Sequence, residues 1–128
     1  MGLCENYRGF DFSVKRIEQA RKILPNAQFH IADAFETELF DKADYDLVIS
    51  TEFLEHINSD LDVLKRIKAG AHFIGTVPNY PWVSHVRHFQ DAGEVADRYG
   101  PYFLEFNVCP ILMKPAGQTI FVLEGIKT

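Results

Sequence analysis

No stretch of this chain approaches the roughly 20 consecutive apolar residues that a bilayer-spanning helix needs. Its opening, Met-Gly-Leu-Cys-Glu-Asn-Tyr, has no apolar core of the kind a secretory signal carries. Cysteine is scarce. Cys4 and Cys109 lie far apart without metal-ligand spacing, so two free thiols in a reducing cytoplasm are expected. Positive charge is short as well: 13 basic residues against 18 acidic give a formal charge of −5. That balance argues against a broad electrostatic grip on nucleic acid or an anionic membrane. Repeats, low-complexity tracts and linkers are lacking too. The 128 residues are read as one domain, 1–128, long enough for a substantial core.

What is present is organised around Asp44 to Ile57, Asp-Tyr-Asp-Leu-Val-Ile-Ser-Thr-Glu-Phe-Leu-Glu-His-Ile. Tyr45 to Ser50 reads as a strand buried on both faces, the kind found in the middle of parallel sheets. Just past its carboxyl end stand Glu52, Glu55 and His56, at the edge where open α/β sheets bind ligands.

Around this centre, Tyr7 to Phe12 is a short strand ending in Asp11. Ser13 can cap a helix whose buried face is Val14, Ile17, Ala20, Ile23 and Leu24, stopped by Pro25-Asn26. Ala27 to Ala32 is a second strand ending in Asp33, and Ala34 to Lys42 a loop with room for one helical turn. After the central strand, Ser59 can cap a helix with Asp60 and Asp62 in its first turn and Leu61, Leu64 and Ile67 as its buried stripe; Gly70 ends it. Ala71 to Val77 is a fourth strand, followed by the aromatic loop Pro78-Asn79-Tyr80-Pro81-Trp82. Asp91-Ala-Gly-Glu94 has capping-box spacing and opens a short helix broken by Gly100-Pro101. Tyr102 to Val108 and Thr119 to Ile126 form an expected antiparallel hairpin, with Pro110 and Lys114-Pro115-Ala116-Gly117 between them. The alternation predicts an α/β, Rossmann-like, mostly parallel sheet with a C-terminal antiparallel hairpin.

Glu52, Glu55 and His56 share a helical spacing, and two carboxylates with an imidazole suit Mg²⁺, Mn²⁺ or Zn²⁺. Alternatively, Glu55-His56 only shapes a rim. His85 and His88 are either a base or a surface pair. His30 and His72 read as core or edge histidines, and Cys109 as a small buried hydrophobe. Tyr80, Trp82 and Phe89 either line a pocket or pack the loop against the sheet.

This order of elements, with Gly-Phe-Asp-Phe-Ser, Ile-Ala-Asp-Ala-Phe, Glu-Phe-Leu-Glu-His and Val-Pro-Asn, resembles the class I S-adenosylmethionine-dependent methyltransferases over about Tyr7 to Gln90. The resemblance implies that Asp11, followed by Phe12, meets the ribose hydroxyls of S-adenosylmethionine. It implies that Asp33 meets the adenine amine, the Ala34 backbone the adenine ring, and that Thr51 belongs to the same cofactor site. A carboxylate accepts such protons better than a neutral side chain does. The family's first strand and its Gly-x-Gly-x-Gly loop have no counterpart here, where six residues precede Tyr7. The chain thus reads as a methyltransferase type lacking that strand, with Gly2 to Asn6 as a remnant of the loop. Glu-Phe-Leu-Glu-His also resembles the metal-binding run of small-RNA 2′-O-methyltransferases and of metal-dependent quinone O-methyltransferases. That likeness implies Glu52, Glu55 and His56 as ligands, joined by His88 or His85. The expected activity is methyl transfer to a small-molecule oxygen, with His56, His85 or His88 as base. The alternatives are a non-catalytic remnant that forms a homodimer to cover open strand edges, and an RNA-end methyltransferase, which the acidic balance disfavours.

Overall fold

A computed structural model describes residues 6–42, 44–114 and 117–128. Cys4, the Gly2 to Glu5 part of the expected loop remnant and Pro115-Ala116 lie outside these described residues. The contacts divide the chain into two compact units, one ending at Leu39 and the other running from Phe40 to Thr128.

The first unit is one β–α–β motif: β1 (Arg8–Asp11), α1 (Val14–Ile23) and β2 (Gln28–Ile31). Ser13 caps α1 as expected, its hydroxyl accepting from the Arg16 backbone N–H. The strands pair in parallel with Arg8 opposite Gln28 and Asp11 opposite Ile31, so both run to the same carboxyl edge. The expected apolar stripe of α1 is only partly buried. Ile17 is covered, whereas Val14, Ile23 and Leu24 are exposed, because a two-stranded sheet is narrower than the stripe.

The second unit holds α2 (its Phe40–Lys42 part; the turn begins at Leu39), β3 (Leu47–Ser50), a 3-10 turn (Leu54–His56), α3 (Asp60–Arg66), β4 (His72–Pro78), α4 (Ala92–Tyr99), a second 3-10 turn (Gly100–Tyr102), β5 (Phe103–Met113) and β6 (Gln118–Lys127). The sheet order is β3-β4-β6-β5. β3 and β4 are parallel, and β6 runs antiparallel to both β4 and β5. α3 ends at Arg66 with Ile67 as its C-cap, short of the expected stop at Gly70, which lies in the following turn with φ +86°, a left-handed conformation that glycine adopts without a Cβ clash. Asp91 caps α4 by accepting from Glu94 N–H, and the Glu94 carboxylate reaches back to Gln90 N–H.

Strand alternation sorts the core. Phe73 and Val77 of β4 and Phe121 and Leu123 of β6 are buried, together with Leu54, Val63, Leu64, Ile67, Val95 and Tyr99. Ring contacts of Phe73 with Phe103 (5.0 Å) and Phe89 with Tyr99 (5.6 Å) tie the pieces. Phe89 therefore packs the loop, while Trp82 is exposed. On the opposite sheet face Ile74 and Glu124 point outward.

Three expectations need correction. The central strand lies at the edge of its sheet, not the middle, with Leu47 and Ile49 exposed. Its buried-looking composition therefore does not reflect burial: among the described residues that face stays open. β5 continues through Pro110, which pairs opposite Phe121; an edge strand tolerates the missing N–H. Cys109, on that same edge strand, is exposed and not buried. A bulge between Leu104 and Asn107 bends β5, with Glu105 at φ +52°.

Candidate functional site

Each predicted residue can be placed within its own unit. In the first, Asp11 ends β1 and Asp33 stands two residues past β2. Both make the local bonds that aspartates favour after a strand. Asp11 Oδ1 accepts from Ser13 N–H at 2.7 Å and Asp33 Oδ1 from Phe35 N–H at 2.8 Å. Asp11 Oδ2 also lies 3.5 Å from Arg16, whose side chain is 72% exposed. Such a pair is weak enough to yield to another partner. Phe12 is exposed and Ala34 buried.

In the second unit, Thr51 and Glu52 follow β3 and are exposed. Glu52 has φ +52°, an uncommon conformation for a residue with a Cβ and one that accumulates at functional sites. Its N–H donates to Thr76 Oγ1 at 3.1 Å. The chain then folds into the 3-10 turn that carries Glu55 and His56, with His56 N–H donating to Phe53 O.

Glu55 is completely buried. Among the described residues, neither of its carboxylate oxygens has a hydrogen-bond partner. Burial pushes its carboxyl above the usual carboxylate range, the charge of Glu52 adds to the rise, and its own backbone amide, His56 and His85 oppose it.

The loop after β4 completes the arrangement. Val86 N–H donates to Glu55 O at 2.8 Å, which lays the loop against the turn. His85 thereby meets His56, ring centroids 4.9 Å apart at 74°. One ligand atom from each of Glu55, His56 and His85 lies within 4.8 Å of the others. Of the predicted metal set, the structure thus gathers Glu55 and His56 with His85. Glu52 and His88 stand outside that cluster, and His88 is exposed.

Arg87 was not singled out by sequence reasoning. Its guanidinium donates to Leu54 O (2.7 Å), Ile57 O (2.5 Å) and Asn58 O (2.9 Å). It also pairs with the buried Asp60 at 3.1 Å. One side chain therefore brackets the turn that presents Glu55 and His56. The available signal was a lone arginine between two histidines, which carries no hint of three carbonyl partners. Asn79 of Val-Pro-Asn has a similar role: its side chain accepts from Thr119 N–H at 2.7 Å and donates to Gly117 O. Burial, with the charges of Glu52 and Glu55, pushes the Tyr80 phenol up.

A shallow concavity elsewhere, lined by Asp46, Leu47, His72, Phe73, Ile74 and Glu124, lies at the amino-terminal end of β3 and β4. It is away from the strand edge where ligands bind in such sheets.

The sequence model of the methyltransferase domain family matches residues 1–69, more than half of the chain. The chain belongs to the class I S-adenosylmethionine-dependent methyltransferase family. No curated protein matches it. Among solved structures, it resembles the N-methyltransferase NodS from Bradyrhizobium japonicum WM9 in complex with S-adenosyl-L-homocysteine: TM-score 0.70, 13% identity, 95% of this chain and 66% of that one. A SAM-dependent methyltransferase from Methanosarcina mazei matches with TM-score 0.66 and 14% identity over 94% of this chain and 81% of that one. Magnesium protoporphyrin IX methyltransferase from Synechocystis PCC 6803, with SAM bound, matches with TM-score 0.61 and 14% identity over 96% and 60%. At such identities the likeness establishes the fold. The α/β methyltransferase fold with its closing antiparallel hairpin is as expected. The chain spans about two thirds of the length of NodS. Among the described residues no helix is long and apolar enough to cross a membrane.

Proposed function

We propose that the protein binds S-adenosylmethionine and transfers its methyl group to an oxygen of a small molecule. The observation that carries this reading is the placement of Asp11 and Asp33 at the carboxyl ends of two neighbouring parallel strands, within the family-matched segment. The donor chemistry fits. Asp11 would accept from ribose hydroxyls by exchanging its exposed Arg16 partner, and Asp33 from an adenine amine, with Phe12 and the Ala34 backbone contributing contacts; Thr51, in the second unit, is a separate candidate. When bound, the cofactor supplies an electrophilic sulfonium methyl. The chain's own task is then to align the acceptor and take its proton. His56 and His85 are the candidates for that step, and each places Nδ1 beside a carbonyl oxygen to which it can only donate, which orients the ring. His88 is a further candidate.

The test is calorimetric titration of S-adenosylhomocysteine into the chain, then into Asp11→Ala and Asp33→Ala. Micromolar binding weakened at least about tenfold by either substitution, as loss of a charge-assisted bond would cause, supports the reading. Absence of heat from the unsubstituted chain overturns it.

A second reading, a non-catalytic protein that associates with its own kind, is favoured by the exposed Leu47 and Ile49 on the open edge strand and Ile74 beside them. A stable dimer in sedimentation, together with absent cofactor binding, would select it.

A further inference from the structure

Two carboxylates gather at the carboxyl edge of the second unit without a cation to match them. Glu52 follows β3 and is exposed, its backbone held at φ +52° by the bond from its N–H to Thr76 Oγ1. Glu55 is wholly buried, and neither of its carboxylate oxygens has a hydrogen-bond partner among the described residues. One of those oxygens lies within 4.8 Å of ring nitrogens of His56 and His85. The charges of Glu52 and Glu55 act on each other, and both act on the Tyr80 phenol, so the three groups share one small region. Among the described residues no lysine or arginine pairs with either carboxylate. Arg87, which grips the same turn, is committed to the carbonyls of Leu54 and Ile57 and to Asp60.

We propose that this edge selects a small organic cation, an amine-bearing molecule whose ammonium is anchored by Glu52, in the field of the buried Glu55 and beside the rings of Tyr80 and Trp82. That this cation is also the methyl acceptor rests on the function proposed above; its binding does not. An anionic ligand would be repelled by both acids. A neutral one would leave the cost of the buried carboxylate as it stands. An ammonium brings a positive charge and up to three N–H donors to groups that lack both.

The aromatic groups of the same loop fit that ligand. The Tyr80 ring centroid is 5.8 Å from that of His85, and the Trp82 carbonyl accepts from His85 N–H at 3.0 Å. The Trp82 side chain is 66% exposed, although it sits on a loop whose other ring, Phe89, is buried. An indole left in water beside two acids offers its face to a cation, which the ring quadrupole attracts. Glu52 is therefore the residue that sets specificity, and Glu55 acts through the field it casts from beneath. His56, four residues after Glu52, and His85 against it are half-buried, so a molecule carrying both an amine and a hydroxyl can meet the anchor and the candidate bases together.

The experiment titrates three phenols of matched shape into the isotope-labelled full chain and follows amide shifts by NMR: tyramine (cationic), 4-ethylphenol (neutral) and 4-hydroxyphenylacetate (anionic). Expected is tyramine binding at least about tenfold tighter than 4-ethylphenol, as one charge-assisted bond provides, with the anion weakest and the shifts centred on Glu52, His56 and His85. Glu52→Gln should remove most of that advantage and leave 4-ethylphenol binding unchanged. Asp62→Asn, which alters an exposed acid of α3 paired with Lys65, should change neither. The comparison of the three probes on the unsubstituted chain needs no variant, so a misfolded variant does not decide the matter. Tyramine bound no tighter than 4-ethylphenol, an advantage that survives Glu52→Gln, or no tyramine binding at about a hundredfold excess over the chain would each overturn the proposal. A chain that ignores S-adenosylhomocysteine but keeps the preference for tyramine would refute methyl transfer and uphold the cation site.

Discussion

Arg98 grips Asp60 through two parallel bonds, Nε to Oδ2 at 2.9 Å and Nη2 to Oδ1 at 2.6 Å. Tyr99 donates its hydroxyl to the same carboxylate at 2.7 Å, and Arg87 adds a contact at 3.1 Å. Asp60 is wholly buried, so a charge at the first position of α3 is held by the last turn of α4 and by the loop between them. Desolvation alone would raise the Asp60 carboxyl. The bonds from Arg98 and Tyr99 and the charges of Arg87 and Arg98 outweigh it and hold the carboxyl below its ordinary range.

Asp60→Asn keeps the shape and removes the charge. It should destabilise the fold by about 2–4 kcal/mol, somewhat below the cost of orphaning a fully buried charge because Arg98 retains partial access to water. Urea unfolding monitored by circular dichroism would measure it, and a loss under about 0.5 kcal/mol would contradict the account.

The same carboxyl sets an acid limit. Its folded value is depressed, so the unfolded chain binds the proton more readily, and the contribution is complete above the unfolded value near 3.9. Stability should lose this contribution as pH falls through the folded value. Urea midpoints taken across pH 7 to 3 should show a decline below about pH 4 that is shallower in Asp60→Asn. Parallel curves for the two proteins would remove Asp60 from the explanation.

Glu55→Gln should behave oppositely in the metal-free chain. Replacing an unpaired buried carboxylate by an isosteric amide removes a desolvation cost, so the melting temperature should rise. A variant that melts lower without metal would mean that Glu55 has a partner in solution.

Arg87→Lys keeps the charge but loses the fork that meets three carbonyls at once. With one or two part-buried acceptors left short, a loss of about 1–2 kcal/mol is expected. The turn bearing Glu55 and His56 should also loosen. Faster hydrogen exchange at His56 N–H and Val86 N–H would report that loosening directly.

Much of this architecture is legible locally. Ser13 and Asp91 cap their helices where the spacing places them, and the strand and helix order follows from periodicity. The acids after β1 and β2 are equally plain, because an aspartate next to a strand end closes its own short bond two residues on. Other features resisted. Nothing local distinguishes a strand buried on both faces from β3, whose apolar residues face outward from a sheet edge. Asp60 looked like a helix-dipole residue because its partners lie 38 and 39 positions away.

By itself, the sequence determined the family, the elements and the residues at their ends, since these depend on interactions within one or two turns of the chain. Only the tertiary structure decided that Glu55 and His56 meet His85 and not His88, and that Arg87 brackets their turn. Those choices rest on one backbone bond, Val86 N–H to Glu55 O, which sets the rotation of a loop some 30 residues downstream. Periodicity carries no information about a rotation of that kind, because the loop has no repeating pattern of its own to express it.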